Sequence, residues 1–189
     1  MKYFKKIQGE RIYLSPVNPD DAEQYTAWIN DPAVSDGLGS TADVFSLRKE
    51  RAFLEKAADS EGYYFAIVRL ADDKLLGSVS FHDISEISRN ADCGLFIGDA
   101  EDRGKGYGAE ALRLLLGFGF RTLNLNNVML KCFSYNAQAI ACYKKVGFRV
   151  IGERRRACFI NGQYHGDVFM DILAEEFFEK YGGAAPCGK

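Results

Sequence analysis

The sequence has few residues from which a metal centre or a disulfide framework could be built. It contains only two histidines, and no second ligand recurs beside either of them at a zinc-type spacing. Its five cysteines are an odd number without zinc-type pairing: Cys93, Cys132, Cys142, Cys158 and Cys187. We therefore expect no metal and interpret the cysteines as reduced packing residues. A nucleophilic Cys142 is disfavoured, because nothing in the sequence places a histidine beside it.

The chain also lacks a long apolar run and an excess of charge of one sign. No run reaches the ~18 residues that a membrane span requires. The basic start, residues 1–6, is not followed by an uninterrupted apolar stretch, so we expect no secretory signal and a cytoplasmic location. The 24 basic and 26 acidic residues give a net charge of −2, which argues against the broad basic surface of a nucleic-acid binder. We expect neither nucleic-acid nor membrane partners.

The length of 189 residues suits one domain with its own core. We expect an N-terminal extension over residues 1–9, a folded domain over 10–178 and a flexible tail over 179–189, which begins near a Gly-Gly-Ala-Ala-Pro run. Strand patterns dominate both ends, and helices alternate with strands in the middle. This order predicts an α/β or α+β fold with a mixed sheet.

Periodicity and turn residues predict the elements. Predicted strands cover residues 11–17, 63–69, 75–84, 89–97, 128–133, 149–159 and 164–173, and predicted helices cover 19–29, 46–58, 109–122, 136–146 and 175–180. Pro32 is predicted to stop the first helix, with a loop over residues 35–43. Asn161-Gly162 is the strongest hairpin signal in the chain.

A glycine-rich segment, residues 103–108, lies between a predicted strand and a predicted helix. The alternate glycines Gly104, Gly106 and Gly108 allow the backbone to approach a ligand, and the following helix offers unpaired N–H groups at its positive end. The spacing matches neither a nucleotide-hydrolase phosphate loop nor a dinucleotide-binding loop. The segment alone indicates either an anion cradle or a tight turn that binds nothing.

A second segment, residues 136–148, reads as one short helix with a tyrosine on its capped face. Asn136 is a favourable N-cap, and Gly147 is a favourable residue just after the helix. Tyr143 follows Asn136 by nearly two turns, which returns the tyrosine to the same face. That face can present a phenol to a ligand.

Together the two segments resemble the GNAT superfamily of acetyl-coenzyme A-dependent N-acetyltransferases. The family signature, Arg/Gln-x-x-Gly-x-Gly/Ala, is matched by Arg103, Gly106 and Gly108, and the helix with Asn136 and Tyr143 resembles the second motif. Residues 28–34 and 159–164 are similar to the Rim-type branch, which includes enzymes that acetylate ribosomal-protein N-termini and has spermidine acetyltransferases as relatives. The resemblance covers about residues 10–173. It implies a splayed, mostly antiparallel sheet flanked by helices, with a cleft for the pantetheine arm.

The resemblance implies that acetyl-coenzyme A is the cofactor and acetyl donor. Backbone N–H groups of the loop would hold its pyrophosphate, Arg103 and Lys105 would add charge, and Asn136 would contact the pantetheine or cap its helix. The predicted cofactor-binding residues are Leu95, Phe96, Ile97, Arg103, Gly104, Lys105, Gly106, Tyr107, Gly108 and Asn136.

Direct acetyl transfer to an amine requires a base, an oxyanion site and an acid. Asp92 stands where related enzymes often carry Glu and is the predicted base, directly or through water; the alternative is an exposed strand-end acid. Backbone N–H groups of residues 95–97 would bind the oxyanion. Tyr143 is the predicted acid for the departing thiolate; the alternative is a packing tyrosine that orients the thioester.

The acceptor amine is the least specified part of the prediction. By resemblance, Trp28, Asp31, Phe81 and Tyr164 would line its pocket, although aromatic residues in strands are more often core. A protein N-terminus, a polyamine, an amino sugar and another small amine all remain open, as do a monomer and a homodimer. The alternative of a different class is an acyl-coenzyme A sensor that keeps the cradle without turnover.

Overall fold

The structure is a computed structural model that describes residues 2–60 and 62–183. The strands are β1 (Ile7–Gln8), β2 (Ile12–Pro16), β3 (Tyr63–Arg69), β4 (Leu75–Ser85), β5 (Asn90–Ile97), β6 (Asn127–Phe133), β7 (Arg149–Ile160) and β8 (Gln163–Leu173). The α-helices are α1 (Ala22–Ile29), α2 (Pro32–Leu38), α3 (Leu47–Asp59), α4 (Tyr107–Arg121), α5 (Ala137–Val146) and α6 (Ala174–Tyr181). Short 3-10 turns cover Pro19–Asp21 and Ala100–Asp102.

The strands form one eight-stranded sheet in the order β1-β2-β3-β4-β5-β6-β8-β7. Among the pairings whose register is described, β5–β6 is parallel and the others are antiparallel. A parallel pair needs a long crossover connection, and α4 lies in the segment between β5 and β6. The predicted α/β fold with a mixed, mostly antiparallel sheet and flanking helices is confirmed.

The chain divides into two compact units, and elements β4, β5 and α4 each contribute residues to both. The first unit comprises Met1–Ser80 with Leu95–Ala111. Its core includes an edge-on aromatic group, in which the rings of Tyr25 and Trp28 lie 5.6 Å apart and each lies about 6 Å from Phe96. The buried Tyr25 hydroxyl donates to the Gly77 carbonyl at 3.2 Å, so its polar end is satisfied.

The second unit comprises Phe81–Gly94 with Leu112–Lys189. Leu112, Leu115 and Leu116 of α4 are fully buried, and their spacing is that of one face of a helix. Phe120 lies 5.4 Å from Phe177 of α6, so these two helices share an aromatic core. The predicted hairpin at Asn161-Gly162 is confirmed, since both residues have positive φ and Ile160 pairs with Gln163 across the turn.

The segment after α1 differs from the predicted loop, because it contains the helix α2. The Asp31 carboxylate accepts from the Ala33 N–H at 3.0 Å, and Pro32 occupies the first helical turn. Proline stops a preceding helix but is favourable at the start of a new one, so it can do both here. Gly39, with φ of 74°, ends α2.

At the ends of the chain, residues 7–8 of the predicted extension form β1, and α6 extends to Tyr181 of the predicted tail. Residues 184–189 of that tail, Cys187 among them, lie outside the described residues. In the described ranges, none of the helices is both long and apolar enough to cross a bilayer.

Gly98 should tolerate no side chain, because a Cβ there would lie 2.1 Å from the Trp28 ring. We expect Gly98→Ala to lower the free energy of unfolding by about 1–3 kcal/mol through overpacking. The matched control is Gly152→Ala, whose Cβ would meet nothing within 4 Å and which should change stability by less than about 0.5 kcal/mol. Urea unfolding followed by the fluorescence of the single tryptophan measures both, and equal stabilities would contradict the packing argument.

Candidate functional site

The glycine-rich loop leads directly into the N-terminus of α4. Gly104 and Gly106 have φ of 74° and 87°, a left-handed conformation that glycine adopts without strain. The Glu110 N–H donates to the Gly106 carbonyl at 3.1 Å, which closes the first turn of the helix. The N–H groups before it have no carbonyl partner within the helix; they belong to Tyr107, Gly108 and Ala109. These N–H groups lie at the positive end of the helix dipole and can bind an anion.

Close packing against β5 fixes where this helix begins. A Cβ at Gly108 would lie 3.0 Å from the Leu95 side chain, so glycine allows the first turn to approach the strand. Both residues belong to the first unit, as does the whole loop. The predicted cofactor-binding residues from 95 to 108 therefore form one local group.

The side chain of Arg103 hydrogen-bonds to backbone carbonyl groups. Its guanidinium donates to the carbonyls of Ile97 at 3.1 Å, Gly98, and Ala33 at 3.1 Å. This placement favours an anchoring role, which ties the start of the loop to β5 and α2, over the ligand-facing charge suggested by the sequence. Lys105, by contrast, has a half-exposed side chain with its ammonium 3.5 Å from Asp102.

A buried carboxylate, Asp102, organises the cations next to the loop. It accepts from Arg69 at 3.2 Å and from Lys74 at 2.7 Å. Burial alone would raise the pKa of Asp102, but the hydrogen bonds and charges of Lys74 and Lys105 outweigh it and hold that pKa below its usual range. Asp99 and Glu101 also contact the Lys74 ammonium, so this acidic group already has its counter-charge.

A second buried carboxylate, Glu110, binds the start of β2 to the loop. It accepts from the backbone N–H groups of Glu10 at 2.8 Å and Arg11 at 2.9 Å, and from Arg11 Nε at 3.0 Å. These hydrogen bonds outweigh the effect of burial and keep the pKa of Glu110 below its usual value. Sequence reasoning missed this pair, because 99 residues separate the partners and no local motif joins them.

Asp92 lies on β5, opposite Met129 of β6, at the last described pair of the parallel ladder. Burial raises its pKa, the His82 charge lowers it, and the Asp83 charge raises it further. His82 Nδ1 lies 3.3 Å from Asp83 Oδ2, and donor atoms of all three residues lie within 4.8 Å of one another. One imidazole and two carboxylates are a donor set that divalent metals accept, so the expected absence of a metal stays a prediction. The sequence did not reveal the group, because β4 and β5 must pair to form it.

Tyr143 lies on α5, whose predicted cap is confirmed: Asn136 Oδ1 accepts from the Ala139 N–H at 3.0 Å. Burial raises the pKa of Tyr143 well above its ordinary value, and the neighbouring thiols of Cys132, Cys93 and Cys142 add to the shift. The phenol therefore keeps its proton throughout the physiological range. Burial raises the pKa of Cys142 as well, which disfavours a nucleophilic thiolate there.

The four predicted acceptor contacts occupy different environments. Trp28 is 5% exposed and donates from Nε1 to Asp99 at 2.7 Å, while Asp31 caps α2. Phe81 is 1% exposed, and this burial favours a core role. Tyr164 is 64% exposed and packs on Phe159 with ring centroids 5.0 Å apart. Of the three aromatic residues, Tyr164 alone presents most of its surface to solvent.

Comparisons with known proteins agree with this fold. The model of the acetyltransferase (GNAT) domain family matches residues 11–149. YdaF of Bacillus subtilis (strain 168), described as a candidate ribosomal N-acetyltransferase, is 28% identical over 176 residues, which are 89% of this chain and 94% of YdaF. Spermidine N(1)-acetyltransferase of Escherichia coli (strain K12) is 34% identical over 110 residues, which are 58% of this chain and 59% of that protein.

A solved structure gives the same result for the fold. The spermidine N-acetyltransferase from Vibrio cholerae, in complex with CoA and spermine, has a TM-score of 0.80 at 23% identity, covering 90% of this chain and 99% of that one. At this identity the likeness concerns the fold alone.

The loop geometry predicts that Gly106→Val abolishes binding of acetyl-coenzyme A, the ligand that the resemblance implies, because a branched side chain at positive φ both strains and fills the loop. Gly162→Val is the matched control: Gly162 also has positive φ, at 80°, but lies in the β7–β8 hairpin with open space around it. Calorimetric titration should show binding to the control and none to Gly106→Val. Unchanged affinity in a folded Gly106→Val protein would remove the loop from the binding site.

Proposed function

The chain belongs to the acetyltransferase (GNAT) domain family, and on this basis we propose that it transfers the acetyl group of acetyl-coenzyme A to a primary amine. The observation that carries the proposal is the loop of residues 103–108, with its left-handed glycines and the open N–H groups of α4. We assign the catalytic domain to residues 10–178. Relatives named for ribosomal N-acetylation and for spermidine support a protein N-terminus or a small polyamine as the acceptor class.

Cofactor binding would depend mainly on backbone groups. The pyrophosphate accepts hydrogen bonds from the N–H groups at the start of α4, and the half-exposed Lys105 adds a positive charge. The Asn136 oxygen is used as a helix cap, which leaves its amide NH₂ group for the pantetheine arm. Because backbone N–H groups bind the pyrophosphate, Gly106 at the centre of the loop needs no side chain for this contact.

Asp92 is the group we assign to the amine proton. An alkyl ammonium has a pKa near 10, so the nitrogen must lose a proton before or during attack. Because burial raises the pKa of Asp92, its carboxylate holds a proton more strongly than an exposed aspartate does. A better proton acceptor is a better base, provided that the pH stays above its pKa.

The remaining steps are attack on the thioester and departure of the thiolate. The amine nitrogen attacks the thioester carbon, and backbone N–H groups of residues 95–97 bind the oxyanion that forms. The carbon–sulfur bond then breaks, and the Tyr143 hydroxyl donates its proton to the departing thiolate. The nitrogen loses two protons on the way from the ammonium to the amide: Asp92 accepts one, directly or through water, and solvent water accepts the other. One of them replaces the proton given by Tyr143, so the products are the amide, the free thiol of coenzyme A and one proton released to solvent.

Thiol release from acetyl-coenzyme A with a panel of amines tests the proposal. Spermidine, a peptide with a free N-terminus and an amino sugar represent the acceptor classes. We expect release that depends on one of these amines and produces its acetylated form. Tight binding of acetyl-coenzyme A without release with any amine would identify an acyl-coenzyme A sensor instead.

Tyr143→Phe should lower turnover by about 10²–10⁴-fold and leave the affinity for acetyl-coenzyme A nearly unchanged, since the hydroxyl acts only as the thiolate leaves. Tyr181→Phe is the control, because that hydroxyl donates to the Val146 carbonyl and serves packing. Single-turnover rates and calorimetry measure the two quantities. If Tyr143→Phe matched the parent enzyme in turnover, Tyr143 would be a packing residue.

The pH–rate profile tests Asp92. Its raised pKa predicts that activity falls on acidification at a higher pH than an exposed aspartate would give, because protonated Asp92 cannot accept a proton. Asp92→Asn should lose activity near neutrality and recover partly at high pH, where free amine is abundant. Asp83→Asn should shift the acidic limb to lower pH, because the Asp83 charge raises the pKa of Asp92. A parental profile in Asp92→Asn would assign the proton to another group.

A further inference from the structure

Arg11 brings a partly uncommitted guanidinium group to the glycine-rich loop. Its Nε donates to Glu110 at 3.0 Å and its Nη1 donates to the Lys105 carbonyl at 2.9 Å. Among the described residues, Nη2 donates no hydrogen bond. The side chain as a whole is half exposed, so it lies at the protein surface.

Its orientation is fixed by contacts on three sides. The backbone N–H of Arg11 also donates to Glu110, whose side chain is 5% exposed. The guanidinium carbon lies 5.1 Å from the centre of the Tyr107 ring, within the range of a cation–π contact. An arginine held in this way loses little conformational entropy when a ligand arrives.

The uncommitted nitrogen lies at the centre of the loop. Arg11 Nη2 is 3.2 Å from the point where a Cβ of Gly106 would stand. Within the described part of the chain, and apart from Gly106 and its two neighbours, no other heavy atom lies within 4 Å of that point. The two other arginines of this region are engaged, Arg103 by backbone carbonyls and Arg69 by Asp72 and Asp102. Arg11 is therefore the guanidinium positioned to meet an anion in the loop.

We propose that Arg11 is a cofactor-binding residue, whose Nη2 donates to a diphosphate oxygen of acetyl-coenzyme A while Nε and Nη1 hold Glu110 and the Lys105 carbonyl. The proposal rests on the proposed function, since it needs a diphosphate ester in the loop. It assigns one side chain two tasks, shaping the loop and neutralising the ligand. Charge-assisted hydrogen bonds of guanidinium to phosphate suit the second task.

Arg11→Gln should lower kcat/KM for acetyl-coenzyme A by about 10–100-fold, the effect of losing a hydrogen bond to a charged group. The same variant should keep the parental kcat/KM with S-acetylpantetheine, which lacks the diphosphate. Arg51→Gln is the control for net charge: it removes the same charge from the first unit, where Arg51 makes one long ion pair of 3.9 Å with Asp20. It should behave as the parent with both donors.

Two further variants separate ligand contact from loop shape. Glu110→Gln weakens the ion pair that positions Arg11 but leaves the positive charge of Arg11 unchanged. Arg11→Lys removes the guanidinium but keeps one positive charge at the site. If Nη2 binds the diphosphate, kcat/KM for acetyl-coenzyme A should fall less in both of these variants than it does in Arg11→Gln. Equal losses in Glu110→Gln and Arg11→Gln would overturn the contact, as would a parallel loss with S-acetylpantetheine.

The parent protein distinguishes the failure of this inference from the failure of the proposed function. If the parent binds acetyl-coenzyme A and Arg11→Gln binds it equally well by calorimetry, the role of Arg11 is wrong and the acetyltransferase stands. If the parent binds no acetyl-coenzyme A, both are wrong. Thermal unfolding of each variant, compared with the parent, shows whether a loss arises from folding.

Discussion

The buried carboxylate of Glu110 is the constraint on which the shape of the candidate binding loop depends. A carboxylate removed from water is destabilising unless charged or polar partners surround it, and here the partners come from the start of β2. Arg11 then reaches on to the Lys105 carbonyl, so one ion pair holds a strand, a loop and the first turn of α4 together. The left-handed glycine at position 106 fits within this frame. Charge pairing thus holds one side of the loop in place, and the N–H groups of the first turn of α4 have no carbonyl partner within the helix.

Burial has opposite chemical meanings for the two groups assigned to proton transfer. It raises the pKa of both Asp92 and Tyr143. For the carboxylate, a higher pKa means a stronger hold on an incoming proton, which suits a base. For the phenol, it means that the proton is present at every working pH, which suits a donor to a sulfur that becomes anionic only as its bond to carbon breaks. The same physical cause, the loss of water around both side chains, therefore favours the role proposed for Asp92. For Tyr143 it keeps the proton in place but also makes the phenol a weaker acid.

Local signals predicted most elements correctly, and the exceptions have local or tertiary causes. The Asn161-Gly162 hairpin and the Asn136 cap were readable because a few neighbouring residues decide them. The helix α2 is the exception with a local cause: Pro32 predicts the end of α1, but with the capping Asp31 before it, it also begins a new helix. The charge expected from Arg103 is instead used on backbone carbonyls. An arginine's partner depends on which carbonyls the fold brings within reach, and no local pattern encodes that.

The sequence by itself determined the class of fold, the glycine loop and the capped helix with Tyr143, because spacing along the chain controls backbone conformation and the period of side chains. Membership of the family was readable from the same short segments. Only the tertiary structure decided which charges surround the loop and which groups meet Asp92. Arg11 meets Glu110 across 99 residues, and His82 reaches Asp92 through strand pairing. Electrostatic partners are chosen by distance in space, and the sequence specifies that distance only through the complete fold.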